Sequence, residues 1–369
     1  MSADPFSDVL ALADARSVVS GGFTAGGRWA LRFPVPEKVK FFGVVKGDCW
    51  LRVHGARAPV RLEAGDVFLP WQVSYVLASD LTAPQLDARE VFPPGGSTVA
   101  KLGDGESCTV LGGHVKMNAV GGAVLADVLP PLMHVRAGSR HATVMHWILE
   151  QLAGERATPL PGASIASAQL AQLMFLHILR AQLETARPLK RGWLRAAGDR
   201  RLAPALRLMH ADPGRSWHLG ELAKAAAMSR TTFAEHFRAV AGVAPLAYLT
   251  QWRMRLAQRA LREEDPPVSV LAHELGYASE SAFSNAFKRV IGIAPRHYRS
   301  ALRDPVRSGI QLHDSSEEDL SLVDAAPRRG QRRSSARRAA GEATRSSAGR
   351  ARLVTPRRSS RRPRTAPPR

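Results

Sequence analysis

The sequence predicts an α+β multidomain chain: an N-terminal antiparallel β-sandwich or barrel, a helical linker, an all-α C-terminal domain with two helix-turn-helix units, and a disordered basic tail. Three observations carry this reading. Short alternating apolar runs, broken by Gly, Pro and Asp, fill residues 22–69. One helical pattern then occurs twice: Phe233, Phe237, Gly242, Pro245 and Tyr248 each match the residue fifty positions later, at Phe283, Phe287, Gly292, Pro295 and Tyr298. Finally, Ala326–Arg369 holds fifteen Arg and one Glu.

Taken in order, residues 7–19 open with Ser7-Asp8-Val9-Leu10-Ala11-Leu12-Ala13, the spacing of a short amphipathic helix. Strand-like runs follow at Gly22-Phe23, Trp29–Phe33, Lys40–Lys46, Cys49–His54, Val60–Glu63 and Val67–Leu69. Gly47-Asp48 and Gly65-Asp66 are turn signals, and Pro34 and Pro36 interrupt pairing. Cys49 and Cys108 have no metal spacing and suggest no disulfide framework; Cys49 reads as a small buried hydrophobe. Phe42, Trp50, Phe68, Trp71 and Tyr75 are candidate lining residues of an interior pocket, with plain core packing as the competing reading. Arg32 or Arg52, if inward, would anchor an anionic effector, although solvent-facing positions are the favoured reading for both.

The strand series Phe41–Leu51 and Leu62–Pro70, with its Gly65-Asp66 turn and following Pro70, resembles a cupin over roughly residues 4–186. Metal-dependent cupins resemble one another in a close His pair with a Glu and a later His. Here the first strand pair offers only His54, Trp71-Gln72-Val73-Ser74 stands where relatives often place His, and His114, His134, His141 and His146 are scattered. No metal, cofactor or catalytic residue is therefore expected, and the interior is read as an apolar site for a small molecule or for nothing.

Two apolar-faced helices come next. His141–Leu152 carries Val144, Met145, Ile148, Leu149 and Leu152, and Ala163–Thr185 carries Ile165, Leu170, Leu173, Met174, Leu176, Ile178, Leu179 and Leu183. Pro159-Leu160-Pro161-Gly162 punctuates them, an entry helix runs from Gly192-Trp193 to Met209, and His210–Gly214 reads as a linker.

In the first repeat Leu219, Leu222, Ala223 and Ala226 sit at helical spacing, and Ser229 caps the next helix. Phe233 and Phe237 bury at i and i+4, leaving Arg230, Thr231, Ala234, Glu235 and Arg238 outward. In the second, Gly276 supplies the turn, Ser279 the cap, and Phe283 and Phe287 the buried face; Glu280, Ser281, Ser284, Asn285 and Lys288 face outward. Before the turn the offset is one less, so the second copy has one extra turn residue. The amphipathic segment Pro245–Leu261 joins the two. Asn285 suits two-pronged pairing with adenine, and Glu235 or Glu280 suits a cytosine amino group. Arg230, Arg238, Lys288 and Arg289 suit phosphates, which position without specifying.

From about Trp217 to Arg299 the chain resembles the DNA-binding domain of the AraC/XylS family of bacterial transcription regulators, on Gly276-Tyr277, Phe283, Phe287-Lys288, Gly292, Pro295 and Tyr298-Arg299. The resemblance implies a base-reading face at Arg230, Thr231, Ala234 and Glu235 and at Glu280, Ser281, Ser284 and Asn285. It also implies that the N-terminal unit is the ligand-sensing domain attached to many such regulators, and that the intervening helices pair two subunits; packing against their own barrel is the alternative. His218 departs from the family, which usually has a Thr or Ser cap there; the expectation is a frayed helix start, or Ser216 acting instead.

Expected domains are 1–135 (cupin-like sensor), 136–200 (helical linker and dimerisation region), 201–303 (DNA-binding) and 304–369 (disordered Arg-rich tail). Of the net charge of +20, the tail from Ala326 supplies +14 and the remainder +6. So apolar-poor a tail cannot offset its ordering entropy. No run of eighteen apolar residues occurs, and MSADPFSDVL has neither a basic flank nor a signal-type core, so a cytoplasmic protein without membrane partners is expected. The function expected is that of a non-enzymatic, sequence-specific transcription regulator. Its expected partners are double-stranded promoter DNA, a small-molecule effector, a second copy of itself and RNA polymerase. Tail-driven, sequence-neutral DNA binding and a cupin enzyme fused to a DNA reader are the alternatives.

Overall fold

The fold was obtained as a computed structural model, which describes residues 4–92, 99–118, 122, 125, 128–158, 160–184 and 190–303. The expected disordered tail lies outside the described residues.

The chain opens with α1 (Pro5–Leu12), whose first turn is set by Pro5 and by Asp4, whose carboxylate accepts the Phe6 N–H at 3.1 Å. The sequence expectation of a helix over 7–19 is corrected at its end. Asp14 takes a positive φ of 44°, and β1 (Arg16–Ala25) starts two residues later. Its β-branched Val18 and Val19 suit a pleated surface better than a helix.

Ten further strands follow: β2 (Ala30–Phe33), β3 (Val39–Lys46), β4 (Asp48–Val53), β5 (Val60–Glu63), β6 (Val67–Pro70), β7 (Tyr75–Ala78), β8 (Gln85–Asp87), β9 (Val99–Leu102), β10 (Cys108–Lys116) and β11 (Leu132–Val135), with the short α2 (Ala88–Val91) after β8. They form a six-stranded sheet in the order β11-β6-β3-β10-β1-β9 and a five-stranded sheet in the order β5-β4-β7-β2-β8. Pairing is antiparallel except at two edges, where β9 runs parallel to β1 and β8 parallel to β2. The inner faces of both sheets share one core, from Phe23, Trp29, Phe33, Phe42, Phe68 and Tyr75 to Leu77 and Val110.

The outer face of the six-stranded sheet is covered by α3 (Ala142–Ala157) and α4 (Ala163–Glu184). Gly43 of β3 makes this close: a Cβ there would stand 2.2 Å from a methyl of Leu149. Met145, Ile148, Leu149, Leu152, Met174, Phe175, Ile178 and Leu179 are buried in that layer. The two helices therefore pack on their own sheet, while Val144, Trp147 and Ile165 stay exposed.

The expected single entry helix is two: α5 (Trp193–Gly198) and α6 (Ala203–Ala211). Asp199 breaks it, its carboxylate accepting the N–H groups of Arg201 and Leu202 at 2.9 and 3.2 Å. His210 and Ala211 end α6 rather than starting the linker, and His210 is fully buried. The remaining helices are α7 (Leu219–Ala225), α8 (Arg230–Ala241), α9 (Pro245–Glu263), α10 (Val268–Glu274), α11 (Glu280–Ile291) and α12 (Pro295–Arg303). A continuous apolar core runs from α1 and the outer sheet face through α3–α6 into these helices.

Candidate nucleic-acid interface

The sequence repeat becomes a repeat of local geometry. Helices α7 and α8 form one unit, α10 and α11 the other, and α9 joins them. In the first turn Ala227 holds a positive φ of 53°; forty-nine residues on, Gly276 holds 77°. The unmatched residue is Ala278, between this left-handed position and the next cap. Ser229 and Ser279 then cap α8 and α11, accepting the N–H groups of Thr232 and Ala282 at 3.2 and 3.1 Å. Both helices end on left-handed glycines, Gly242 and Gly292.

Aromatic contacts repeat as well. Phe233 and Phe237 meet at 5.7 Å, and Phe237 meets Tyr248 edge-on at 5.5 Å. Phe283 and Phe287 meet at 5.8 Å, and Phe287 meets Tyr298 edge-on at 5.6 Å. All four phenylalanines are fully buried, so each helix has its rotation about its own axis fixed. On the opposite faces, Arg230, Thr231, Glu235 and Arg238 of α8 and Ser281, Asn285 and Lys288 of α11 are exposed. Ala234, Ser284 and Glu280 are half-buried. Sequence expectation had Glu280 free for a base, but its carboxylate is bound by Arg296 of α12 at 3.0 Å.

Arg230 lies over Gly220 of α7, where a Cβ would come within 2.9 Å of its Nε. With His218, Leu219, Gly220, Glu221 and Lys224 it lines a shallow groove beside the first unit. The start of α7 is closed by neither fraying nor Ser216. The Glu221 carboxylate reaches back to accept the His218 N–H at 2.9 Å and is held by Arg215 at 2.6 Å. These contacts keep its carboxyl below the ordinary range, the His218 N–H first among them.

The two units are fastened to one another, a feature that no sequence motif signalled. Arg253 of α9 donates from Nε to the Pro213 carbonyl at 2.6 Å and from Nη2 to the Arg215 carbonyl at 2.8 Å. Its guanidinium also stands 5.6 Å from the Tyr277 ring centre. The linker is thereby pressed on the second turn, so tightly that a Cβ on Gly276 would lie 1.9 Å from the Gly214 oxygen.

In the N-terminal unit, Trp50 is not the interior lining residue considered from sequence, and Arg32 and Arg52 take the solvent-facing positions the sequence favoured. The inward parity on β2 and β4 belongs to Leu31, Phe33, Cys49, Leu51 and Val53, so those three residues point outward, and Arg32 pairs with Asp87 at 2.8 Å. Trp71 is buried in the other core, outside the space between the sheets. Phe42 packs in the core between the sheets, with Phe68 stacked on it at 5.1 Å and Tyr75 edge-on at 5.9 Å. The Tyr75 hydroxyl and Trp29 Nε1 are buried there with no hydrogen-bond partner, and burial pushes the phenol well above its ordinary range.

The Gly65-Asp66 turn has a structural task. Asp66 accepts the Ala137 N–H at 2.6 Å, the Glu63 N–H at 3.2 Å and lies 2.9 Å from His134 Nε2. Burial alone would raise this carboxyl, but the His134 and backbone hydrogen bonds outweigh it and leave it below the usual value. Among the described residues no three His, Cys, Asp or Glu side chains gather as metal ligands, and no helix is long and apolar enough to cross a membrane.

Comparison with known proteins agrees with this division. Residues 4–184 match the Cupin family and residues 222–301 a helix-turn-helix domain family. An AraC-like transcription regulator of Streptomyces antibioticus is 41% identical over 297 residues, covering 80% of this chain and 98% of the relative. A Streptomyces lividans AraC-like regulator matches to the same extent, and the regulator AlkR of Acinetobacter baylyi is 27% identical over 74% of this chain and 91% of its own. Among solved structures, the DNA-binding domain of AdpA in complex with a target DNA is 33% identical over 30% of this chain and 98% of that one, with a TM-score of 0.28.

Proposed function

This chain belongs to the AraC-like transcription regulators, and we propose that it reads promoter DNA with α8 and α11 together. The duplicated cap, left-handed turn and aromatic lock carry the proposal, because they present two polar helix faces from one rigidly joined body. Thr231, Ala234 and Glu235, with Ser281, Ser284 and Asn285, read base edges; Arg230, Arg238 and Lys288 bind phosphates. Glu280 serves chiefly to hold Arg296 in place.

The cupin unit senses rather than catalyses. Its effector inserts among the core aromatics around Phe42, where Tyr75 and Trp29 offer two unspent hydrogen-bonding groups to a small, largely apolar molecule. Binding shifts the balance between two presentations of the DNA reader. A second copy docks through the exposed Val144, Trp147 and Ile165 on α3 and α4, and the dimer recruits or blocks RNA polymerase in the cytoplasm. The functional division is 1–135 for sensing, 136–200 for connection and dimerisation, and 201–303 for DNA.

The experiment is selection from a randomised DNA pool, at two salt concentrations, by the full chain and by a chain ending at Arg303. Two half-sites about one helical turn apart, retained without the tail, are expected. An affinity that collapses on loss of residues 304–369, with no enriched motif, would replace this reading by sequence-neutral binding through the tail.

A further inference from the structure

The two helix-turn-helix units touch where Pro213–Arg215, the segment leading into α7, meets the turn between α10 and α11. The approach is close from both sides. A Cβ on Gly214 would stand 2.3 Å from the Glu274 oxygen, just as one on Gly276 would strike the Gly214 oxygen. Arg253 of α9 holds the segment in place through the Pro213 and Arg215 carbonyls, at 2.6 and 2.8 Å. Two carbonyls held at once need the rigid fork of a guanidinium; a lysine ammonium is a single point charge on a flexible stem.

Each side of this contact is tied to a reading unit. The Arg215 N–H donates to the Asp212 carboxylate at 3.2 Å, and its guanidinium lies 4.0 Å from the Trp217 ring centre while binding Glu221 of α7. Trp217 Nε1 donates back to the Asp212 carbonyl at 2.8 Å. On the other side, the Tyr277 ring meets Phe283 edge-on at 5.5 Å, and Phe283 is one of the rings that fix the rotation of α11. Fixed contacts thus run from α7 through the linker and Arg253 to α11.

We propose that Arg253 is a positioning residue that sets the half-site spacing the chain accepts. The inference rests on the reading that α8 and α11 bind DNA together. One base pair inserted between half-sites moves the second by about 3.4 Å and turns it by roughly 35°. Clasped units cannot follow both movements, so one spacing is preferred. With the contact released, α9 alone joins the units, and flexing about it accommodates several spacings. The clasp therefore adds selectivity that no base contact supplies. Arg303 stands fifty residues after Arg253, at the matching place in α12, and grips Asp265 in the loop before α10. That grip lies within the second unit, so it supports the unit without setting the spacing.

The test measures affinity of the full-length native protein, Arg253→Lys, Gly214→Ala and Arg303→Lys for the site selected from the random pool. The same site is then offered with one or two base pairs inserted or removed between half-sites, and circular dichroism melting reports the fold of each variant. Native protein should lose about tenfold or more per step, on the scale of a mismatched base pair. Arg253→Lys keeps the charge and Gly214→Ala leaves Arg253 in place, yet both should lose less than about threefold per step. Arg303→Lys should keep the native profile. Unchanged spacing profiles in Arg253→Lys and Gly214→Ala would overturn the inference and leave the two-unit reading intact. Equal flattening by Arg303→Lys would also overturn it, by assigning the effect to loss of stability. A native protein that selects no paired half-sites would remove the reading on which the inference rests.

Discussion

His210 Nδ1 lies 3.2 Å from a carboxylate oxygen of Asp8, 202 positions away in the chain, and both side chains are buried. The other ring nitrogen lies 2.9 Å from the Tyr248 hydroxyl, and the ring stacks on Trp252 at 4.1 Å. A helix that precedes the first strand is thus hydrogen-bonded into the DNA-reading domain through α6 and α9. Since α1 runs almost directly into β1, a change in the barrel has a short physical route to the first reading unit.

Removing Asp8 strands a buried ring nitrogen. Asp8→Ala is expected to cost about 1–3 kcal/mol in urea denaturation of the full-length protein. The loss should exceed that of Asp4→Ala, whose side chain caps α1 at its exposed start. Equal losses would mean that the contact with His210 contributes nothing beyond helix formation.

The left-handed turns make opposite predictions for the two units. Gly276→Ala puts a methyl group into the Gly214 carbonyl and should destabilise by roughly 3 kcal/mol or more, since backbone rather than a flexible side chain must move. Ala227→Gly removes a left-handed alanine at the matching place and should be neutral or stabilising by up to about 1 kcal/mol. Denaturant midpoints of the two variants decide this, and equal shifts of the same sign would contradict it.

How much of this was legible in the sequence depends on distance. The helix pairs were, because Phe233, Phe237, Gly242, Pro245 and Tyr248 encode a local geometry that recurs intact fifty residues on. The first strands were too, apart from inward parity: Trp50 and Arg52 alternate correctly with Cys49 and Leu51, but sequence alone does not say which face is which. Strand β10 was not among the strand-like runs, since Gly112 and Gly113 interrupt its apolar pattern. They are strand glycines over which the rings of Phe42 and Phe41 lie, at 3.0 and 2.1 Å from where a Cβ would be. The clasp of Arg253 and the pair Asp8–His210 join residues far apart in the chain, and no local pattern announces such contacts.

Asp66 gives a pH dependence. Its folded pKa is depressed, so the unfolded chain binds the proton more readily and stability rises with pH through the carboxylate range. The contribution is complete above the ordinary value of 3.8 and is lost as pH falls through the lower folded value. Asp66→Asn should therefore be less stable than the native protein near pH 7, with the gap narrowing in acid. A gap independent of pH would assign the effect to shape alone.

On DNA, the exposed faces separate two kinds of loss. Asn285 can give two hydrogen bonds to one base, so Asn285→Ala should cost about 1–3 kcal/mol on the selected site and relax preference at a single position. Lys288 is one helical step further along the same exposed face, where a flexible cation meets phosphate from any sequence. Lys288→Ala should weaken binding about equally on selected and random DNA, and should lower the slope of log affinity against log salt by about 1. Binding curves for both variants on both DNAs, at three or more salt concentrations, check this. Were Lys288→Ala to alter base preference while Asn285→Ala changed only the salt slope, α11 would have to lie in the groove rotated from the orientation that Phe283 and Phe287 impose.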